Sequence, residues 1–153
     1  MRAIKYAVAA IVPLILISQL ALADSRHKGA SKSVEYRQAL MTTYGWNLKP
    51  MGAMVRNKAP YDAKAFKRYA SDLAAAAHLD MLSGFPEGSD DEESDAKGEI
   101  WLDWADFEQK YSNFQKRASA LKAATESGDL DKIRPAFGAT AKSCKDCHKA
   151  FRE

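Results

Sequence analysis

Residues 130–151 read LDKIRPAFGATAKSCKDCHKAF, and the spacing inside this stretch decides the fold. Leu130, Ile133, Phe137, Thr140, Cys144, Cys147 and Phe151 recur at alternating steps of three and four. That rhythm puts all seven on one face of a helix. Asp129 stands where an N-cap belongs, and Gly128 before it is suited to the left-handed turn that stops a preceding helix. A helix with one apolar stripe must bury that stripe against something, and the rest of the chain offers only more helices.

Working back along the chain, three further stripes follow. The third helix runs from about Glu99 to Ser127 on Trp101, Trp104, Phe107, Tyr111, Phe114, Ala118 and Leu121. The second runs from an N-cap at Asp62 to about Leu82 on Phe66, Tyr69, Leu73, Ala76 and Met81. The first spans about Ser33 to Arg56 on Val34, Arg37, Met41, Tyr44, Leu48, Met51 and Val55, with Pro50 expected to bend it because proline donates no N–H. Gly84 to Gly98 breaks the pattern with Gly, Pro and six acids (Glu87, Asp90, Asp91, Glu92, Glu93 and Asp95) and reads as a long loop of the kind that often touches function. No stretch shows a two-residue period. The expected fold is all-α, an antiparallel up-down-up-down four-helix bundle.

The last helix carries the chemistry. Cys144-Lys145-Asp146-Cys147-His148 is C-x-x-C-H, the attachment motif of c-type haem. Two thiols one helical turn apart can add to the two vinyl groups on one porphyrin edge, and the next residue offers an imidazole as axial iron ligand. A redox disulfide is the competing use of C-x-x-C, but that motif normally opens a helix in a βαβ unit, and here it closes an all-helical chain. A zinc site needs more ligands than His27 and His78 supply. The expectation is one covalent haem c per chain, on Cys144, Cys147 and His148. Met41 and His148 lie near adjoining ends of the first and last helices, so the two side chains can oppose each other across a flat cofactor.

Residues 1–23, MRAIKYAVAAIVPLILISQLALA, have a basic start, an apolar centre and Ala21-Leu22-Ala23, the three parts of a secretory signal. Their apolar core is short for a membrane span. Cleavage would leave a domain of residues 24–153 in the bacterial periplasm with no membrane span. The 153 residues carry 23 basic and 20 acidic side chains for a net charge of +3, too balanced for a nucleic-acid surface. With 46% apolar residues there is material for one real core. Lys142, Lys145, Lys149 and Arg152 gather around the attachment motif, either as a ring that steers an acidic redox partner or as an ordinary solvated face.

The chain resembles the cytochrome c′ family, the class II c-type cytochromes. The likeness rests on YRQALM (36–41), LKPM (48–51), APYDA (59–63), FPEGS (85–89), EIW (99–101), SGDL (127–130), AFG (136–138) and SCKDCHKAFR (143–152), which together span nearly the whole expected mature chain. The C-terminal position of C-x-x-C-H is the most specific feature; the acidic run at 90–95 is the main local departure. The resemblance implies that Cys144 and Cys147 form thioethers and His148 is the proximal ligand. It places Arg37 and Gln38 beside the haem, Arg37 near a propionate that its two N–H groups could hold. It sets Arg152 at the proximal face and brings Asp95 and Lys97 toward the haem edge. It also implies a homodimer with the first helix in the interface.

Two functions fit: one-electron transfer between periplasmic redox proteins, and binding of nitric oxide or carbon monoxide at a five-coordinate iron. The alternative is a low-spin, six-coordinate carrier with Met41 as the second axial ligand. No nucleophile–base pair or phosphate loop speaks for an enzyme. A plain disulfide protein would lack visible colour.

Overall fold

The computed structural model describes residues 31–90 and 93–153, so the 1–23 segment, His27 and two acids of the loop lie outside the described residues. Helix α1 spans Lys32–Val55, α2 Ala63–Ala77, α3 Glu99–Leu102, α4 Trp104–Ala124 and α5 Leu130–Phe151. Four are long; α3 is a single turn. Among the described residues no helix is long and apolar enough to cross a membrane.

Side-chain bonds give the directions of the helices. Tyr36 and Tyr44 of α1 donate to Asp80 and Ala76 at the far end of α2. Lys67 near the start of α2 pairs with Glu126 just beyond α4, while Tyr111 early in α4 donates to Ala77 at the end of α2. Phe107 and Phe151 pack ring to ring, and Thr140 donates to the Arg117 carbonyl, so α4 and α5 also run opposite ways. The result is an up-down-up-down four-helix bundle.

The capping chemistry read from the sequence is in place. Asp62 accepts from the Ala65 N–H at 3.0 Å, Asp129 accepts from the Asp131 N–H at 3.0 Å, and Gly128 sits at φ +63°. Two boundaries differ from expectation. The third helix is broken at Asp103, whose φ of −128° leaves the helical region and whose carboxylate accepts from the Asp106 N–H to start α4. The second helix stops at Ala77 instead of continuing to Leu82. Its last carbonyls are capped from outside: Tyr111 donates to Ala77 and Leu79, and Gln115 to Ala77. Helix α1 continues through Pro50 to Val55.

Packing is unequal along the bundle. At one end Phe66, Met51, Leu121 and Ile133 are fully buried and make a solid core. At the other, α1 and α5 meet at few positions, although α1 packs along α2 and α5 along α4. Two members of the α1 stripe stay open there: Met41 is 39% exposed and Leu48 half-buried.

Candidate functional site

The gap between α1 and α5 is a cavity of about 560 Å³, within the range of cofactor sites. Helix α5 turns Cys144, Cys147 and His148 into it; α1 contributes Met41 and Leu48; α4 closes the back with Phe107, Tyr111 and Phe114. The two cysteines face the same space because they are three apart on one helix, and His148 follows on the same side. Both are half-buried free thiols. Burial pushes the Cys144 thiol up, and burial with the neighbouring Cys144 pushes Cys147 up to about 11. His148 is held below the ordinary imidazole range by burial and then by the Arg152 charge, which favours the uncharged ring that a metal needs.

These residues fit haem. The walls are aromatic and aliphatic, as a porphyrin face requires. Charged groups, Arg37, Asp95, Lys110 and Arg152, are few among the lining side chains. Two thiols and one imidazole stand on a single helix at the motif's spacing.

Arg37 is 4% exposed and forms the most connected part of the rim. Its guanidinium donates to the Gly84 carbonyl at 3.1 Å, the Ser89 hydroxyl at 2.9 Å, the Ser89 carbonyl at 2.6 Å and the Ser94 hydroxyl at 2.6 Å. It also lies 4.8 Å over the Phe85 ring. Arg37 therefore ties Gly84, Ser89 and Ser94 into the cavity wall. Gln38 beside it donates to the Glu93 carbonyl at 2.8 Å.

The resemblance sets Arg152 at the proximal face and Asp95 toward the haem edge, and the structure pairs the two side chains. Arg152 donates twice to one Asp95 oxygen, at 3.0 and 2.7 Å. The backbone completes the clasp: Lys97 N–H donates to the Phe151 carbonyl and Glu153 N–H to the Asp95 carbonyl. The described parts of the loop are thus tied to Arg37 on α1 at Gly84, Ser89 and Ser94 and to Arg152 after α5 at Asp95, along one edge of the cavity. His78 lies elsewhere, with Nε2 3.1 Å from the Ser119 hydroxyl.

Several residues of the wall went unread in the sequence. Phe107, Tyr111 and Phe114 look like ordinary core in a stripe, and they do pack there, but they also floor the cavity. Ser89 and Ser94 carry no periodic signal at all. Lys110 could have been noticed as a charge three residues after Phe107 on an otherwise aromatic face.

Known proteins agree with this geometry. The cytochrome c′ family profile matches residues 32–152. Cytochrome c′ of Halomonas halodenitrificans is 40% identical over 126 residues, 78% of this chain and 95% of that protein. The solved cytochrome c prime from Shewanella frigidimarina superposes with a TM-score of 0.78 at 38% identity, covering 83% of this chain and 98% of that one. A nitric oxide complex of a variant cytochrome c prime from Alcaligenes xylosoxidans gives a TM-score of 0.72 at 40% identity, over 79% of this chain and 94% of that one. Haem c is the cofactor of this group, and a chain that carries its bundle, its cavity and its attachment motif over nearly all its described length belongs to the cytochrome c′ family.

Proposed function

We propose that the chain is a periplasmic mono-haem cytochrome that passes single electrons and binds nitric oxide, or its diatomic analogue carbon monoxide, at a five-coordinate iron. When bound, haem c supplies a one-electron iron couple and an axial position open to a small gas. The observation that carries the reading is one apolar cavity holding Cys144, Cys147 and His148 from α5 opposite Met41 and Leu48 from α1. Cys144 and Cys147 hold the cofactor through their sulfurs. His148 would hold the iron through its imidazole. Met41, Leu48 and Phe114 keep water and charged ligands from the other side, which favours a neutral diatomic. The group is an electron carrier and gas binder in this reading, not an enzyme.

Spectroscopy tests it. Ferric protein should be high-spin by EPR, with little change in Met41→Ala, and the ferrous form should titrate with nitric oxide. A low-spin signal with a far-red sulfur-to-iron band, lost in Met41→Ala, would establish Met41 as a ligand instead. His148→Ala should remove the proximal ligand and change the spectrum of both oxidation states. Acid–acetone should fail to extract the colour.

Export rests on the 1–23 segment, so protein purified from the envelope should begin at Asp24; an intact Met1 terminus would count against it. The homodimer rests on the outer face of α1, where Trp46 is 72% exposed. Trp46→Arg should yield a monomer by analytical ultracentrifugation with an unchanged haem spectrum.

A further inference from the structure

The basic ring around the attachment motif is not used by the site itself. Helix α5 turns Ser143, Cys144, Cys147 and His148 into the cavity. Its outer edge carries Lys142, Lys145, Asp146 and Lys149, all exposed. Asp146 is taken by Lys142 at 2.6 Å, and Arg152 is taken by Asp95 at 2.7 Å. Lys145 and Lys149 make no ion pair among the described residues. They sit four apart on one helix, a spacing at which like charges repel. Lys110 of α4 borders the same edge, paired with Asp106 at 3.3 Å.

Negative charge is gathered on the loop at the same end of the bundle. Glu87, Asp90 and Glu93 are exposed on the loop, and the Glu93 carbonyl is bound by Gln38 of α1. The chain as a whole is nearly balanced, so this gathering of charge is local to the end of the bundle that holds the site. The cationic edge of α5 and the acidic loop lie at the same end, the loop joined to the end of α5 through Asp95 and Arg152.

We propose that the Lys145–Lys149 edge of α5 is the docking surface for an acidic redox protein. This rests on the electron-carrier reading above. The edge lies on the same helical turns as Cys144, Cys147 and His148, so a partner seated on it rests against the segment that carries the attachment motif. Complementary charge raises the rate of encounter and sets the orientation of such a complex. A protein with an acidic patch fits better than an anionic bilayer. Two uncompensated lysines fall short of the roughly 4–8 basic residues that lipid headgroups recruit. A flat anionic surface approaching this end of the molecule would also meet Glu87, Asp90 and Glu93.

The test uses the haem-loaded protein with poly-L-glutamate as the acidic probe, its binding measured by calorimetry at low and high salt. Lys145→Glu/Lys149→Glu should weaken binding at least tenfold and flatten its salt dependence, with the absorption spectrum and helicity unchanged. Lys58→Glu/Lys64→Glu makes the same change in net charge at the opposite end of the bundle and should alter binding less than twofold. Equal losses in the two double variants, or no loss in either, would overturn the proposal. Phosphatidylglycerol vesicles should not co-sediment with the protein; vesicle binding that depends on Lys145 and Lys149 and exceeds peptide binding would assign the edge to a membrane and overturn it too. The carrier reading is checked apart from this, by reducing the wild-type protein with ascorbate and reoxidising it with ferricyanide. Failure of that cycle removes the redox character of the partner, whereas loss of the peptide effect removes the docking edge.

Discussion

Arg37 shows how a charge can be buried without strain. Four hydrogen bonds to the loop and the face of Phe85 replace the water it gives up. Removing the side chain leaves the Gly84 and Ser89 carbonyls and the Ser89 hydroxyl short of a donor, while the Ser94 hydroxyl keeps the Ala96 N–H. Arg37→Ala should therefore lower the unfolding free energy by about 3 kcal/mol, read from urea denaturation, and Arg37→Lys should recover part of it as a single point donor. The sequence placed Arg37 on the inner stripe of the first helix. It could not name the acceptors, because Gly84, Ser89 and Ser94 lie far along the chain in a segment without period. Tyr44 and Tyr111 are the second residue-scale feature. Both are buried, both donate to α2 carbonyls, and burial raises both phenols above the ordinary range. The sign follows directly: above pH 10 the unfolded chain releases phenolic protons that the folded chain retains, so stability is intact below that pH and falls as pH rises. The slope should reach about 1.4 kcal/mol per pH unit for each tyrosine. Phenolate absorbance from these two should rise together with loss of helicity, and Tyr111→Phe should make the alkaline fall shallower.

At the scale of the element, the starts and stops divide into those with local chemistry and those without. Asp62, Gly128 and Asp129 announce their roles, because a cap is satisfied within three residues of itself. The end of α2 is set by Tyr111 and Gln115 reaching over from α4, a tertiary contact that no window on residues 63–82 contains. Asp103 is a local signal that went unread. The aromatic rhythm of Trp101, Trp104 and Phe107 runs across the break, so periodicity outweighed the capping carboxylate. Two substitutions measure these devices. Asp103→Ala should cost about 1 kcal/mol by loss of the cap. A Cβ on Gly128 would meet nothing within 4 Å, so Gly128→Ala pays only for the left-handed backbone, about 1 kcal/mol, and Gly128→Asn less. In urea both should move the midpoint without changing the slope.

The whole molecule is a bundle whose fourth seam is closed by a cofactor site. Four apolar stripes were enough to foresee four long helices around one core. They did not reveal that the α1 stripe changes duty along its length. Met51 packs into the solid end, whereas Met41 and Leu48 line the cavity, and both kinds of position look alike in the sequence. Direct packing holds α2 to α4 and α4 to α5, while α1 and α5 meet at few positions. The inner half of α1 near the cavity therefore depends on α2, on the Arg37 loop, and on whatever fills the space before α5. A chain with Cys144→Ala and Cys147→Ala, purified without haem, isolates that dependence. Local stability follows local contact density, so amide exchange should be fastest in residues 37–48 of α1 and in the 84–97 loop, and slowest around Leu73, Leu121 and Ile133. The haem-loaded wild type should show residues 37–48 protected to nearly the level of α4, because burying apolar surface on both faces of a cofactor stabilises every helix that touches it. Uniform exchange across all four long helices in the haem-free chain would mean that the seam is held by α1–α2 packing alone, and that the cavity contributes nothing to the fold.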